Sequence, residues 1–172
     1  LRVVGAALEN TGFAAHRSGR NHLRCWAPAA GASAARIDEL LEVVGLTEAA
    51  DRAVGGYSLG MRQRLSLATA LLGDPSILLL DEPANGLDPE GILWLRRVLR
   101  EHADEGRAVL VSSHVLAEVE RLADDVVVIA DGRLRYDGTL ADLVGDTGAP
   151  DLESAYLDLT TEGRSHALAG AH

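Results

Sequence analysis

The architecture of this chain follows from residues 77–83, which read Ile77-Leu78-Leu79-Leu80-Asp81-Glu82-Pro83. An apolar run without polar alternation predicts a strand that is buried on both faces inside a parallel sheet. Pro83 cannot donate to the ladder, so the strand should end at Asp81 and Glu82, at its carboxyl end. Open α/β sheets bind ligands at that edge, and two carboxylates there suit a magnesium nucleotide, one for the metal and one for a water proton. For Asp81 and Glu82 taken alone, the alternative interpretation is a surface strand that ends in acidic side chains without a binding function.

Composition narrows the class of protein. The chain has 172 residues, of which 47% are hydrophobic and only 3% aromatic, so aliphatic side chains must fill the core. The net charge of −10 argues against a nucleic-acid-binding surface, which is normally basic. The single cysteine, Cys25, excludes an internal disulfide, and no apolar run reaches membrane-spanning length. All 16 basic residues are arginine, so the chain contains neither a G-x-x-x-x-G-K-S/T phosphate loop nor a lysine for Schiff-base chemistry.

The first part of the chain is expected to be mostly helical. Residues 1–4 look like the end of a strand that begins earlier, which favours the interpretation of the chain as a fragment, and the stretch from Gly5 to Gly19 is expected to be a loop. The region from about 14 to 72 shows no strand pattern. The three helices predicted within it cover residues 20–30, 37–44 and 58–72. Ser58 is predicted to be the N-cap of the third helix, because its hydroxyl can accept from a free backbone N–H.

The rest of the chain alternates strands with helices. Asp88-Pro89 is expected to open a helix, because Asp is a good N-cap and proline is tolerated in the first turn. Unalternated apolar runs predict buried strands at 108–111 and 126–129, and Asp131-Gly132 predicts a tight hairpin turn after the second run. A short helix over 152–159 should be followed by a frayed tail. This alternation indicates an α/β fold with a parallel sheet.

Several short motifs occur in a fixed order along the chain. They are Glu9, Tyr57-Ser58-Leu59-Gly60-Met61-Arg62-Gln63-Arg64, Ile77 to Pro83, Asn85-Gly86-Leu87-Asp88 and Ser112-Ser113-His114. In this order they resemble the Q-loop position, signature motif, Walker B strand, D-loop and switch histidine of the ATP-binding subunits of ABC transporters. The segments Gly-Leu-Asp-Pro-Glu-Gly and Leu-Val-Ser-Ser-His are most similar to the corresponding segments of bacterial exporters of the antibiotic-resistance type. Any one of these motifs alone is weak evidence for the family, whereas the ordered set is specific to it.

The resemblance implies a P-loop NTPase (RecA-like) fold, in which a parallel sheet carries a helical insertion subdomain. On this basis the helical signature subdomain would cover about 14–72, the RecA-like catalytic core about 73–145, and a C-terminal helix and tail about 146–172. The Walker A loop and the aromatic residue that stacks on adenine would lie before residue 1. The segment as given is therefore expected neither to bind ATP well nor to hydrolyse it alone.

The cofactors of the family, ATP and Mg²⁺, imply roles for residues at the sheet edge. By resemblance, Asp81 would hold magnesium through water, and Glu9 would lie near the metal, where the family usually has glutamine. Glu82 would polarise the attacking water as general base. His114, which follows the strand beside the Walker B strand, would sense the γ-phosphate by a hydrogen bond. The reaction implied is the hydrolysis of ATP to ADP and phosphate.

A second group of residues would act on nucleotide that a second copy holds. Ser58, Leu59 and Gly60 lie at a predicted helix N-terminus, where free N–H groups favour a phosphate. The resemblance implies that this phosphate belongs to nucleotide on the other subunit of a homo- or heterodimer, with Asp88 supporting the contact. Leu59 and Met61 stand where the family's signature usually has glycine and glutamine.

The resemblance also implies a membrane-spanning transporter subunit as partner and a cytoplasmic position, peripheral on the inner face of the plasma membrane. No nucleic-acid partner is expected. Two other functions share these motifs. One is a soluble ABC-type ATPase that acts on nucleic acid or ribosomes, which the acidic composition disfavours. The other is a non-catalytic dimerisation module, which the absence of lysine from the sequence favours for the chain as given.

Overall fold

The computed structural model describes residues 3–9 and 12–169, except for the side chains of residues 146, 147 and 161–169. Close packing of Cα atoms divides the chain into two compact units, the first ending at Ser112 and the second beginning at Ser113. The boundaries of the subdomains expected at about 14–72, 73–145 and 146–172 are inferred from motif positions, whereas the two units are defined by packing. Those subdomain boundaries therefore stay predictions.

The first unit is built on a three-stranded parallel sheet. Its strands are β1 (Val4–Ala7), β2 (Ile77–Asp81) and β3 (Ala108–Ser112), in the order β1-β2-β3. Ala7 lies beside Leu80 and Asp81 beside Ser112, so the carboxyl ends of the three strands meet at one edge. The predicted α/β fold with a parallel sheet is confirmed, and the apolar run that predicts it forms the central strand.

The strand β1 lies further along the chain than the sequence indicates. A strand end is predicted at residues 1–4 and a loop from Gly5, whereas β1 runs to Ala7. Of the predicted strand end, Leu1 and Arg2 lie outside the described residues. Gly5 is inside the strand because its backbone packs closely against a helix end, where a side chain has no room. The glycine therefore marks a close approach of two backbones, not a loop.

Only one face of this sheet is buried, so the prediction of a strand buried on both faces is wrong. Leu78 and Leu80 are buried, whereas Leu79 between them is 37% exposed. On β3, Leu110 points to the same exposed face and is 61% exposed. An apolar run reads the same whether or not a second layer covers it, so the sequence could not distinguish the two cases.

The segment between β1 and β2 is helical, as predicted. It contains α1 (Gly19–Ala30), α2 (Ala34–Val43) and α3 (Leu59–Ala70), with 3-10 turns at Thr47–Ala49, Val54–Gly56 and Leu71–Gly73. A serine hydroxyl caps each helix by accepting from the backbone N–H three residues on; the caps are Ser18, Ser33 and Ser58. A fourth helix, α4 (Pro89–Asp104), connects β2 to β3 and is capped by Asp88. Both caps predicted from sequence are therefore confirmed.

The second unit is organised around an antiparallel hairpin. Its elements are α5 (Leu116–Leu122), β4 (Asp125–Ala130), β5 (Arg133–Thr139), α6 (Leu140–Thr147) and α7 (Leu152–Ala169). Asp131 and Gly132 form the turn with φ of 51° and 68°, which confirms the predicted hairpin. Among the described residues β4 pairs only with β5, and Val127 is 55% exposed. β4 is thus a strand, as predicted, but only one of its faces is buried: Val126 and Val128 are buried, whereas Val127 between them is exposed.

The last helix is longer than the sequence indicates. α7 runs from Leu152 to Ala169, whereas a helix ending at 159 and a frayed tail after Thr160 are predicted. Residues 170–172 of that tail lie outside the described residues. The first turns of α7 pack into the core of the second unit; the buried members of that core are Val126, Val128, Leu143, Leu152 and Ala155. None of the helices in the described part of the chain is both long and apolar enough to cross a membrane.

Two buried histidines make the stability of the first unit depend on pH. Burial, followed by the charge of Arg17, lowers the pKa of His22; burial, followed by the charge of Arg107, lowers the pKa of His102. The unfolded chain therefore binds these protons more readily than the folded chain. The free energy of unfolding is then highest above the ordinary histidine pKa and falls as the pH drops through that value. Urea unfolding of the 172-residue chain should show lower stability at about pH 5.5 than at about pH 7.5.

The control for this experiment is the exposed histidine His16. His102→Gln should reduce the dependence of the unfolding free energy on pH, whereas His16→Gln should leave it as in the wild type. Equal pH slopes in the wild type and in His102→Gln would contradict the assignment.

Candidate functional site

The carboxyl-terminal edge of the parallel sheet brings polar side chains together. Asp81 ends β2 and lies beside Ser112, the last residue of β3. The Ser112 hydroxyl donates a hydrogen bond of 2.6 Å to Asp81 Oδ1. Asp81 is exposed, so its carboxylate is held in a defined orientation without being removed from solvent. The edge predicted to carry the site therefore contains one oriented carboxylate.

Glu82 has a strained backbone that neighbouring elements hold on both sides. Its φ of 48° lies in the left-handed region, which costs a non-glycine residue about 1–3 kcal/mol. Its N–H lies 3.1 Å from Ser112 O and 3.2 Å from Ser112 Oγ, and it donates to both. Its carbonyl accepts from Gln63 Nε2 at 3.1 Å and from the Asn85 N–H at 3.2 Å. These bonds offset the strain and determine where the half-buried Glu82 leaves the sheet.

Glu9 reaches the same edge from the end of β1. Asn85 Nδ2 donates a hydrogen bond of 3.4 Å to Glu9 Oε1, which joins the segment after β1 to the loop after β2. Glu9 therefore follows β1, whereas Asp81 and Glu82 lie at the end of the adjacent strand β2, at the same edge of the sheet. Within residues 3–9 and 12–169, no group of three or more His, Cys, Asp or Glu side chains is arranged to hold a metal alone. Mg²⁺ does not require such a group, because one or two carboxylates usually hold it together with phosphate oxygens and water.

The N-terminus of α3 lies against the loop that follows β2. Ser58 Oγ accepts from the Met61 N–H at 3.2 Å, and Leu59 is 56% exposed. The Leu59 side chain covers Gly86, whose φ of 76° and missing Cβ allow the two segments to touch. A Cβ on Gly60 would lie 3.0 Å from Gly86 O. The predicted signature residues are thus gathered at one helix start, beside the predicted D-loop.

Asp88 has a local structural role. Its Oδ1 accepts from the Gly91 N–H at 2.8 Å, so the carboxylate caps α4. A Cβ on Gly91 would lie 2.9 Å from that same oxygen, so a larger residue there would push the capping carboxylate away. The contact with a second copy that the resemblance implies for Asp88 stays a prediction.

His114 is exposed and lies in the second unit, in the segment between β3 and α5. The backbone beside it is held by Ser113, whose hydroxyl accepts from the Val115 N–H at 3.1 Å. This turn gives the histidine a defined backbone position. Its predicted contact with a γ-phosphate stays a prediction.

Three residues of the site had no role in the sequence analysis: Gln63, Asn85 and Ser112. Each lies inside a quoted motif, so its identity is visible in the sequence but its partner is not. Gln63 is 19 residues from Glu82, and Ser112 is 31 residues from Asp81. Only the register of β2 with β3 and the docking of α3 pair these groups.

Comparison with known proteins gives three concordant findings. A family model described as ABC transporter matches residues 3–85. The bacitracin transport ATP-binding protein BcrA of Bacillus licheniformis is 45% identical over 136 residues, which cover 78% of this chain and 44% of that protein. The lantibiotic transport ATP-binding protein SrtF of Streptococcus pyogenes is 39% identical over 143 residues, covering 81% of this chain and 62% of that protein. The chain thus spans about half the length of the curated relatives that it matches.

A solved structure of an ATP binding subunit of an ABC transporter has the same fold. It matches with a TM-score of 0.83 and 30% sequence identity, over 92% of this chain and 68% of that chain. The agreement in three dimensions covers both the helical region and the strands, so it extends beyond the span of the family model.

Proposed function

Because the chain belongs to the family of ATP-binding subunits of ABC transporters, we propose that the whole protein binds and hydrolyses ATP to energise a membrane transporter, an exporter. The names of the bacitracin and lantibiotic transport relatives support an antibiotic-related cargo. The sequence contains no lysine and hence no Walker A lysine, so the 172-residue segment by itself is expected to be inactive.

The observation that carries this proposal is the arrangement of two consecutive carboxylates at the carboxyl edge of the parallel sheet. Asp81 is oriented by the Ser112 hydroxyl, and Glu82 is held by backbone bonds to β3 and α3. Phosphoryl transfer depends mainly on positioning and on stabilisation of charge. An oriented carboxylate on Asp81, beside a second carboxylate on the fixed backbone of Glu82, supplies positioning that hydrolysis needs at a ligand-binding edge.

The residues at this edge fit a magnesium nucleotide. Mg²⁺ is a hard cation that prefers oxygen ligands such as carboxylates and hydroxyls, and Asp81 and Glu9 would hold it. When bound, magnesium neutralises charge that develops on the phosphates. Glu82 would accept a proton from the attacking water, and His114 would donate a hydrogen bond to the terminal phosphate.

A second copy of the chain would complete the site. Ser58, Leu59 and Gly60 lie at the exposed start of α3, where backbone N–H groups and the helix dipole favour phosphate. We assign them to nucleotide held by the other subunit of a homo- or heterodimer, with Asp88 at the contact. A membrane-spanning subunit would place the protein in the cytoplasm, at the inner face of the plasma membrane.

The metal requirement of the full-length gene product tests this proposal. The wild type should release phosphate from ATP only with magnesium. Asp81→Asn removes one carboxylate charge and should raise the magnesium concentration for half-maximal turnover by about tenfold or more. Asp131→Asn, a matched change in the β4–β5 turn, should leave that concentration unchanged.

Two results would reject the proposal. The first is a full-length protein without magnesium-dependent turnover, which would favour a non-catalytic dimerisation module. The second is turnover that RNA or DNA stimulates in a salt-sensitive way, which would favour a soluble ATPase that acts on nucleic acid.

A further inference from the structure

We propose that Gln63 is a positioning residue for Glu82, and that through it α3 controls the backbone that carries the proposed general base. The inference rests on the proposed function, since it concerns the same hydrolysis site. It adds to the site a residue, Gln63, that has no role in contacting substrate. Gln63 links α3, the helix that begins with the predicted signature motif, to Glu82 of the same chain.

The contact is a partly buried hydrogen bond from a side chain to the backbone. Gln63 Nε2 donates to Glu82 O at 3.1 Å. Gln63 lies in the second turn of α3, whose first turn is capped by Ser58. An amide donor on a helix interior position therefore reaches across to the loop that follows β2.

The acceptor of this hydrogen bond, Glu82, has a strained backbone that depends on its neighbours to hold it. Glu82 has φ of 48°, a conformation that persists only where surrounding groups hold it. Its N–H donates to Ser112 on β3, whereas its carbonyl accepts from Gln63 on α3. Without Gln63, the carbonyl would keep the Asn85 N–H, which belongs to the same loop and moves with it. Gln63 therefore anchors this carbonyl to a separate element, α3.

This arrangement links two adjacent turns of one helix to two different sites of the proposed dimer. The start of α3, with Ser58, is the part proposed to face nucleotide held by the second copy. The next turn, with Gln63, holds Glu82 of its own chain. A shift of α3 on engagement of the second copy would therefore change the position of the Glu82 carboxylate, because a short capped helix moves as one body.

Steady-state kinetics of the full-length gene product test the positioning role. Gln63→Met keeps the length of the side chain but removes the donor, and should lower kcat by about 10–100-fold with an unchanged KM for ATP. Gln63→Glu places a carboxylate against the Glu82 carbonyl; its kcat, relative to the wild type, should recover as the pH falls, since a protonated carboxyl can donate. Thr69→Val is the matched control, because it removes a 2.8 Å side-chain bond of α3 to Leu65 O without touching Glu82.

Amide hydrogen exchange gives a second measurement that does not depend on turnover. In Gln63→Met the peptide that covers residues 82–87 should exchange faster than in the wild type, whereas Thr69→Val should not change it. Unchanged exchange there, or faster exchange with an unchanged kcat, would overturn the inference. A loss of kcat in Gln63→Glu that does not recover at lower pH would overturn it as well. A wild type without ATP turnover would reject the proposed function, and the inference with it, before any variant is measured.

Discussion

Replacement of Glu82 by glutamine should lower the ATP turnover of the full-length gene product by about 10²–10⁴-fold. Glutamine has the same size and can make the same backbone bonds to Ser112 and Gln63, so the strained loop should keep its conformation. The amide cannot accept a proton from the attacking water. The loss should therefore appear in kcat, whereas the affinity for ATP should stay close to that of the wild type.

Phosphate release at saturating ATP and equilibrium binding of ATP are the two measurements. Glu101→Gln, a matched change near the end of α4, should leave both unchanged. If Glu82→Gln turned over ATP at the wild-type rate, Glu82 would not be the general base. The assignment of the sheet edge as the site of hydrolysis would then be wrong.

Replacement of Gly5 by alanine should destabilise the folded chain by about 3 kcal/mol or more, at the upper end of the range for overpacking. A Cβ at Gly5 would overlap the carbonyl oxygen of Ala70, and it would lie 2.9 Å from both the Ala70 carbonyl carbon and Pro75 Cγ. The obstacle is mostly backbone, which cannot rotate away as a flexible side chain can. Relief would require α3 and β1 to separate, and β1 leads directly to Glu9.

The free energy of unfolding of the 172-residue chain, from urea titration followed by circular dichroism, measures this effect. Gly12→Ala is the matched control, because a Cβ there would meet nothing within 4 Å. That variant should be neutral or slightly more stable than the wild type. A Gly5→Ala chain with the wild-type unfolding midpoint would contradict the close packing of β1 against α3.

Features that depend on neighbouring residues were predicted correctly. Ser58 and Asp88 cap the helices that follow them, since a hydroxyl or carboxylate can reach the free N–H groups of the next turn whatever the rest of the fold does. Asp131-Gly132 forms the hairpin turn for a similar reason, because few residue pairs accept two consecutive positive φ angles. The run of apolar residues before Asp81 forms a strand in a parallel sheet, as expected.

Features that depend on a distant partner were predicted wrongly or not at all. The apolar run of β2 was expected to be covered on both faces, and Leu79 is exposed. The strand β4 carries the same kind of run but pairs only with β5 among the described residues. Gly5 was expected to begin a loop but lies inside β1. This position requires glycine because the backbone of Ala70 leaves no room for a Cβ.

The order of motifs along the chain identified the family and named Asp81 and Glu82, because those identities are written in consecutive residues. The orientation of the Asp81 carboxylate and the support of the Glu82 backbone depend on distant residues: the Ser112 hydroxyl on β3 and the Gln63 amide on α3, which approach only when the strands are in register and the helix is docked. Short-range chemistry is encoded by adjacent side chains and can be read directly. Contacts between groups 19 or 31 residues apart depend on how whole elements pack, and packing is a property of the folded chain.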